Sequence, residues 1–259
     1  LQIWVLPMNE TVSNYVGKAR RYAQFRWDYA PPAIAWLCGE VGLRNEQWVA
    51  DIGAGPGTLA RWFVERGLEV WAVEPEAEMR RLAEERLGHR ANFHSVSACA
   101  EQTRLPDASV SLIVAGRALH WFHPETARQE FLRISQPDGW LATLAVHCMN
   151  PALGAAMKAL ATPANGFDLS RSKRNRLAAT MDFYVRHVDR PARGFPAEAR
   201  EDWPDFIGRL STFSGAPDPQ DPAFAVLEDA AHQVFTRFAV GGTLVIPVET
   251  HVQLGRLRR

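Results

Sequence analysis

Three glycines at alternate positions, Gly53, Gly55 and Gly57, follow the apolar run Trp48 to Ile52 and precede a helical pattern. Glycine is needed there when backbone must turn tightly and pass close to a ligand, because a Cβ would block the approach. Amides at the head of the following helix then face the same crevice. Asp51 sits two residues before the first glycine, and Glu74 stands 21 positions after it, at the end of the next apolar run. In a doubly wound sheet an acidic side chain at that second place reaches the hydroxyls of a ribose held over the glycine loop. Pro75 behind it gives Glu74 a second reading, a carboxylate at a helix N-terminus. For proton chemistry the candidate is His120, which follows a buried strand at the edge where open α/β sheets bind ligands. Its imidazole is placed to take a proton or to orient a nucleophile, or simply to pack beneath a nucleoside. Trp121 and Phe122 beside it are candidate pocket walls. His120, His123, His147 and Cys148 come without a matching carboxylate pattern, so no metal is expected.

The elements that position these residues follow from short apolar runs alternating with helical patterns between Glu46 and His147, the signature of βαβ units and a parallel sheet. Strands are predicted at Trp48 to Ile52, Leu68 to Val73, Ala91 to Val96, Val110 to Ala115 and Gly139 to His147. The fourth is apolar nearly throughout, as a strand buried on both faces should be. Helices are predicted at Leu59 to Glu65, Pro75 to Leu87 and Pro124 to Ser135. In the second, the spacing of Met79, Leu82, Ala83 and Leu87 lays one apolar stripe on the sheet. Beyond Asn150 the pattern predicts a helix at Ala152 to Ala161, a sixth strand at Phe183 to Val188, segments at Trp203 to Leu210 and Pro222 to Phe238, and a last strand at Thr243 to Leu254. Pro247 inside that strand calls for an edge position or a bulge. The expected fold is α/β, a Rossmann-like doubly wound and mostly parallel sheet with helices on both faces, an antiparallel C-terminal strand and a small helical cap. We expect a single domain over residues 1–259, its core at about 40–150 and 180–259 and its cap segments at about 10–40 and 151–215.

Composition narrows the partners. Lys plus Arg and Asp plus Glu both total 29, so there is no global positive field for a phosphate backbone, and nucleic acid is not expected. Three widely spaced cysteines, Cys38, Cys99 and Cys148, fit a reducing, cytoplasmic setting better than a disulfide scaffold. No apolar run reaches the roughly 18 residues that span a bilayer, and the opening LQIWVLPM lacks the basic segment and cleavage site of a signal peptide. Trp27, Tyr29 and Trp203 flank the core and are candidates for a lid over a substrate. Arg171, Lys173, Arg174 and Arg176 form a basic run, read first as a solvated helix face and second as a receptor for an acidic substrate.

A nicotinamide dinucleotide site shares the glycine turn and the acidic partner, but its GxGxxG spacing needs glycine at position 58, where this chain has Thr58. The run DxGxGxG from Asp51 to Gly57 instead resembles motif I of the class I S-adenosylmethionine-dependent methyltransferases. Cys99-Ala100-Glu101 with Leu105-Pro106 resembles that family's segment flanking the adenine ring. Arg117-Ala118-Leu119-His120-Trp121-Phe122 resembles the "ALHWF" segment of small-molecule methyltransferases related to the ubiquinone-biosynthesis and trans-aconitate groups. Tyr22 to Pro31 is similar to their N-terminal YxxxRxxYP segment. One position departs: many relatives begin the fourth strand with Asp where this chain has Ser111.

The resemblance implies S-adenosylmethionine as cofactor and S-adenosylhomocysteine as product. It places Asp51 near the methionine amino group and Arg26 near its carboxylate. Gly53, Ala54, Gly55 and Gly57 lie under the cofactor, Glu74 on the ribose, and Pro75, Met79, Ala100, Glu101 and Ala115 around the adenosine. Tyr22, Trp27, Tyr29, Trp121 and Trp203 are the expected substrate-side residues, with His120 as the catalytic candidate. The expected partner is a small-molecule methyl acceptor, with no membrane involved, and the expected assembly is a monomer or homodimer. A SAM-binding protein without turnover and an NAD(P)-dependent oxidoreductase are the alternatives.

Overall fold

The computed structural model describes residues 17–168, 181–185 and 191–257. Seven strands form one sheet: β1 (Trp48–Ile52), β2 (Glu69–Val73), β3 (Phe93–Val96), β4 (Val110–Gly116), β5 (Ser135–Cys148), β6 (Arg193–Glu201) and β7 (Leu244–Arg256). Their order across the sheet is β3-β2-β1-β4-β5-β7-β6. The first five run parallel, and β7 is antiparallel to both its neighbours, β5 and β6. The chain order reverses between β1 and β4, and that switch point opens the crevice where doubly wound sheets bind ligands.

Both faces of β1 and β4 are apolar because helices cover both. On one face Val49, Val70, Leu112 and Val114 pack under α2 (Pro31–Val41) and α3 (Thr58–Val64), chiefly through Ile34, Leu37 and Phe63. On the other, Ile52, Val73 and Ile113 pack under α5 (Pro124–Ile134), through Ala127, Phe131 and Ile134. The helix α4 (Ala77–Leu87) buries the stripe Met79, Leu82, Ala83 and Leu87 that the sequence periodicity singled out. Its Met79 and Leu82 form a small cluster with α1 (Ala19–Phe25). A third apolar cluster joins α6 (Pro151–Leu160), α8 (Trp203–Ser211) and α9 (Ala223–Phe238) to Leu244, Ile246 and Val248 of β7. Ser111, at the family's usual Asp position, donates its hydroxyl to Gln136 Oε1 at 2.9 Å and so ties β4 to β5.

The structure corrects two expectations. Phe183 to Val188 is not a strand in its described part: Met181–Tyr184 is a short helix, α7, and 186–188 fall outside the described residues. Met181, Tyr184 and Val185 are buried at helical spacing, and Tyr184 stacks on Phe131 of α5 at 5.6 Å. The sixth strand is instead β6, at the sheet's edge. Pro247 needs neither an edge nor a bulge. It lies inside β7, opposite Glu198 of β6, just beyond the last β5–β7 pair Cys148↔Val248. Its carbonyl accepts the Met149 amide at 2.7 Å, so its nitrogen faces the same side, where β5 has ended and no ladder bond is lost. The basic run Arg171 to Arg176 lies outside the described residues.

Candidate active site

β1 delivers Asp51 and the glycine loop to the switch point. Gly53, Gly55 and Gly57 have φ of 69°, 56° and 76°, in the left-handed region that favours glycine. At Gly53 a Cβ would come within 2.7 Å of the Ala118 Cβ, and at Gly57 within 3.0 Å of Leu87, so these two glycines allow close packing of loop on fold. At Gly55 a Cβ would meet nothing within 4 Å, so that position faces open space. The loop hangs on β2 through Gly53 and Ala54 amides donating to the Val73 carbonyl.

Glu74 bridges loop and helix. Its carboxylate accepts the Gly55 amide at 2.8 Å and the Glu76 amide at 2.9 Å. The helix-capping role falls to Glu76, whose side chain accepts the Glu78 and Met79 amides at the head of α4. Burial pushes the Glu74 pKa up to about 7, only partly offset by those two amides. Asp51 is 1 % exposed, and neither carboxylate oxygen makes a hydrogen bond of good geometry to any described group, the Ala60 amide acting on it only weakly. Burial pushes its pKa up to about 7 as well, the Ala60 amide pulling down and Glu74 adding to the rise. Such a group is costly unless a donor meets it.

Two cavities share Arg117. A cleft of about 30 Å³ lies beside the glycine loop, lined by Tyr22, Tyr29, Asp51, Gly53, Gly55 and Arg117 among others. A larger cavity of about 330 Å³ lies beyond, with Arg26, Trp27, Arg117, Met157, Leu210 and Phe213 in its wall. Arg117 was not foreseen as a site residue. It adopts φ of 56° at the end of β4, a strained conformation for a side chain of its kind. Its amide donates to the Leu144 carbonyl, and its guanidinium donates to the Trp27 carbonyl at 2.9 Å and the Tyr29 hydroxyl at 3.3 Å. Buried Tyr29 stays a phenol, its pKa pushed up to about 12 by burial.

Residues 50–143 match a family model described as a methyltransferase domain. That segment contains Asp51, all three glycines, Glu74 and Arg117. Over that segment the chain is similar to methyltransferases. The chain is 37% identical over 120 residues to an uncharacterized methyltransferase of Mycobacterium tuberculosis, 46% of each chain. It is 36% identical over 154 residues to a malonyl-[acyl-carrier protein] O-methyltransferase of Enterobacter lignolyticus, covering 58% of this chain and 60% of that one. The match to the mycobacterial relative thus spans about half of that protein's length. Its fold is that of a solved chain from Anaeromyxobacter dehalogenans named as a type II methyltransferase, with a TM-score of 0.64, 24% identity, and coverage of 90% and 98%. The YcgJ protein of Bacillus subtilis shares the fold at a TM-score of 0.52 and 18% identity, with coverage of 87% and 98%.

The fold brings Tyr22, Tyr29, Asp51, Gly53, Ala54 and Gly55 together around the cleft. Gly57 supports the loop from behind, against α4. Pro75 follows Glu74 at the loop's side, while Met79 turns into the cluster beneath α1. Ala100 and Ala115 are buried in the core on the α5 face, and Glu101 accepts the His123 amide at 2.7 Å. Arg26 lines the larger cavity, stacked on Phe213 at 4.4 Å, rather than the glycine-loop cleft. Tyr29 lies beneath Arg117, its ring 4.8 Å from the guanidinium carbon. His120 and Trp121 lie in a 3₁₀ turn with rings 4.9 Å apart, and neither lines either cavity. Trp203 packs on Phe206, His232 and Phe235 in the third apolar cluster, away from both cavities. Among the described residues no cluster of three His, Cys, Asp or Glu side chains could hold a metal, and no helix is long and apolar enough to cross a membrane.

Proposed function

We propose that this chain transfers a methyl group from S-adenosylmethionine to O, N or C of a small molecule. The observation that carries the reading is the Asp51 carboxylate, buried at the cleft with both oxygens unmet. An ammonium group is the donor that such a pair of oxygens fits, and the methionine end of the cofactor carries one. Glu74, with one amide on each oxygen, retains lone pairs for a pair of ribose hydroxyls. The open face at Gly55 leaves room for a ligand to lie against backbone. The cleft as it stands holds little more than a water, so seating the cofactor requires its walls to part. The three cysteines are all free thiols, which supports a reducing compartment.

When bound, S-adenosylmethionine supplies an electrophilic methyl whose transfer releases a neutral thioether. No protein acid is therefore needed for departure, and the chain's task is alignment and exclusion of water. Asp51 and Glu74 hold the two ends of the donor's polar framework. Trp27, Tyr29 and Arg117 separate its cleft from the larger cavity, where the acceptor sits.

Calorimetry is expected to show S-adenosylhomocysteine binding with a micromolar dissociation constant, about −8 kcal/mol, and no comparable NAD binding. NAD binding in its place overturns the reading. Affinity is expected to depend on pH with a definite sign. A carboxyl with its pKa near 7 must lose its proton to meet an ammonium, so affinity is full above pH 7 and falls by up to about tenfold per unit below it. A flat titration between pH 5.5 and 8 would remove Asp51 from the ligand's path. Glu74→Ala takes away the ribose acceptors and the tether of Gly55, and is expected to cost roughly 1.5 to 3 kcal/mol of cofactor affinity. Unchanged affinity in that variant would reduce Glu74 to a loop brace.

A further inference from the structure

The larger cavity carries an asymmetry of charge. Trp27, Val146, Met157, Leu210 and Phe213 give it an apolar body, while Arg26, Arg117, His147, Lys158 and Arg209 also reach its wall, and among the described residues no acidic one does. Arg209 is already neutralised, since its guanidinium donates to both Glu201 oxygens at 2.6 and 2.9 Å. Arg117 is not. Its hydrogen bonds go to a phenol and a backbone carbonyl, both uncharged, and use two of the five N–H groups that a guanidinium carries. No carboxylate lies within ion-pair distance of it among the described residues. The acid on the adjoining segment, Asp28, is occupied by Arg61, Trp62 and the Tyr29 amide. A buried cation with no ion pair at contact distance, its charge met by Asp28 only at longer range, is a place at the junction of two cavities that suits an anion.

We infer that the acceptor is an organic acid, its apolar body filling the 330 Å³ cavity and its carboxylate held by the guanidinium of Arg117. The assignment of this molecule as acceptor rests on the methyl-transfer reading; the anion site itself does not. The volume is at the small end of the roughly 300–1,000 Å³ typical of ligand pockets, which favours a compact acid over a long chain. Arg117 owes its reach into the cavity to its left-handed backbone, which turns the side chain back over Tyr29 and under the Trp27 carbonyl. The strain is thus matched by a charge presented at a defined point.

The test uses monocarboxylic acids of four to ten carbons, straight-chain and phenyl-substituted, each paired with its primary amide. Binding to the full chain is measured by calorimetry with and without S-adenosylhomocysteine. At least one acid is expected to bind about tenfold or more tighter than its amide, as a charge-assisted bidentate contact should require. Arg117→Gln is expected to bring that ratio below about threefold, and Arg117→Lys to keep part of it, since the ammonium retains charge but not the fork. Because Arg117 also borders the glycine-loop cleft, S-adenosylhomocysteine affinity of Arg117→Gln is measured alongside. Acids and amides binding alike, no acid in the panel binding, or a preference that survives Arg117→Gln would each overturn the assignment. So would loss of S-adenosylhomocysteine binding in a folded Arg117→Gln variant, which would give the guanidinium to the cofactor's own carboxylate. Failure of the parent to bind S-adenosylhomocysteine defeats the methyl-transfer reading alone, because acid-over-amide preference is read without it.

Discussion

Asp51→Asn is expected to abolish measurable cofactor binding while making the ligand-free protein more stable. The loss follows from removing one partner of a buried charge pair, a change that costs about 2–5 kcal/mol and so some 30-fold or more in affinity. The gain follows from proton linkage. In the folded chain the Asp51 pKa stands at about 7, above its unfolded value near 3.8, so the folded state holds the extra proton between those limits. Unfolding free energy therefore declines as pH rises from about 4 to about 7 and levels off above. Asparagine keeps the shape and cannot ionise, so the stabilisation should be small near pH 5 and larger by roughly 2–3 kcal/mol at pH 8. Urea unfolding of both proteins at the two pH values, with calorimetry on the same samples, measures it. A variant less stable than the parent at pH 8 would mean that Asp51 has a structural partner within the fold.

Glu201→Ala is expected to be the most damaging change away from the glycine loop. Glu201 ends β6 with one oxygen on Arg209 Nε at 2.6 Å and on the Trp27 indole N–H at 2.6 Å, the other on the Arg209 terminal nitrogen. The pair is buried, with side chains 5% and 3% exposed. Removing the carboxylate strands the Arg209 charge beneath the Trp27 ring, 4.3 Å from its centroid, and leaves an indole donor unmet. Breaking such a pair from one side costs about 3–5 kcal/mol. The effect should be read as a lower denaturation midpoint and a disordered cavity wall. Pairing it with Arg209→Met is expected to recover much of the loss, because an apolar replacement of both charges avoids the stranded ion. No recovery in the double variant would show that geometry, rather than unpaired charge, sets the cost.

Legibility in the sequence tracked burial. β1 was read to the residue because Trp48–Ile52 is apolar and bounded by a glycine turn. β6 escaped because, of its nine residues, only Phe195 and Glu201 are buried; an edge strand with Pro196 and alternating charges shows no period-two pattern. Phe183 and Tyr184 misled by their strand propensity, although the buried set Met181, Tyr184 and Val185 follows helical spacing. That Asp51, the glycines and Glu74 meet at one loop was legible because it depends on spacing along one βαβ unit. The place of Arg117 was not, since it comes from a positive φ at the end of β4, a property of the fold. His120 drew notice by residue type three positions away, yet lines neither cavity.

The order β5-β7-β6 also constrains how the chain can assemble during synthesis. β6 precedes β7 in the chain, yet its sole partner in the sheet is β7, and β7 also closes the flank of β5. Until residues 244–256 have left the ribosome, β5 offers an open edge and β6 has nothing to pair with. Every parallel strand of the ligand-binding half is complete long before that. The nascent protein thus passes through a stage in which its glycine-loop cleft is built but its larger cavity lacks the β6 carboxylate that braces Trp27 and Arg209, and in that interval β5 is the open edge of the sheet.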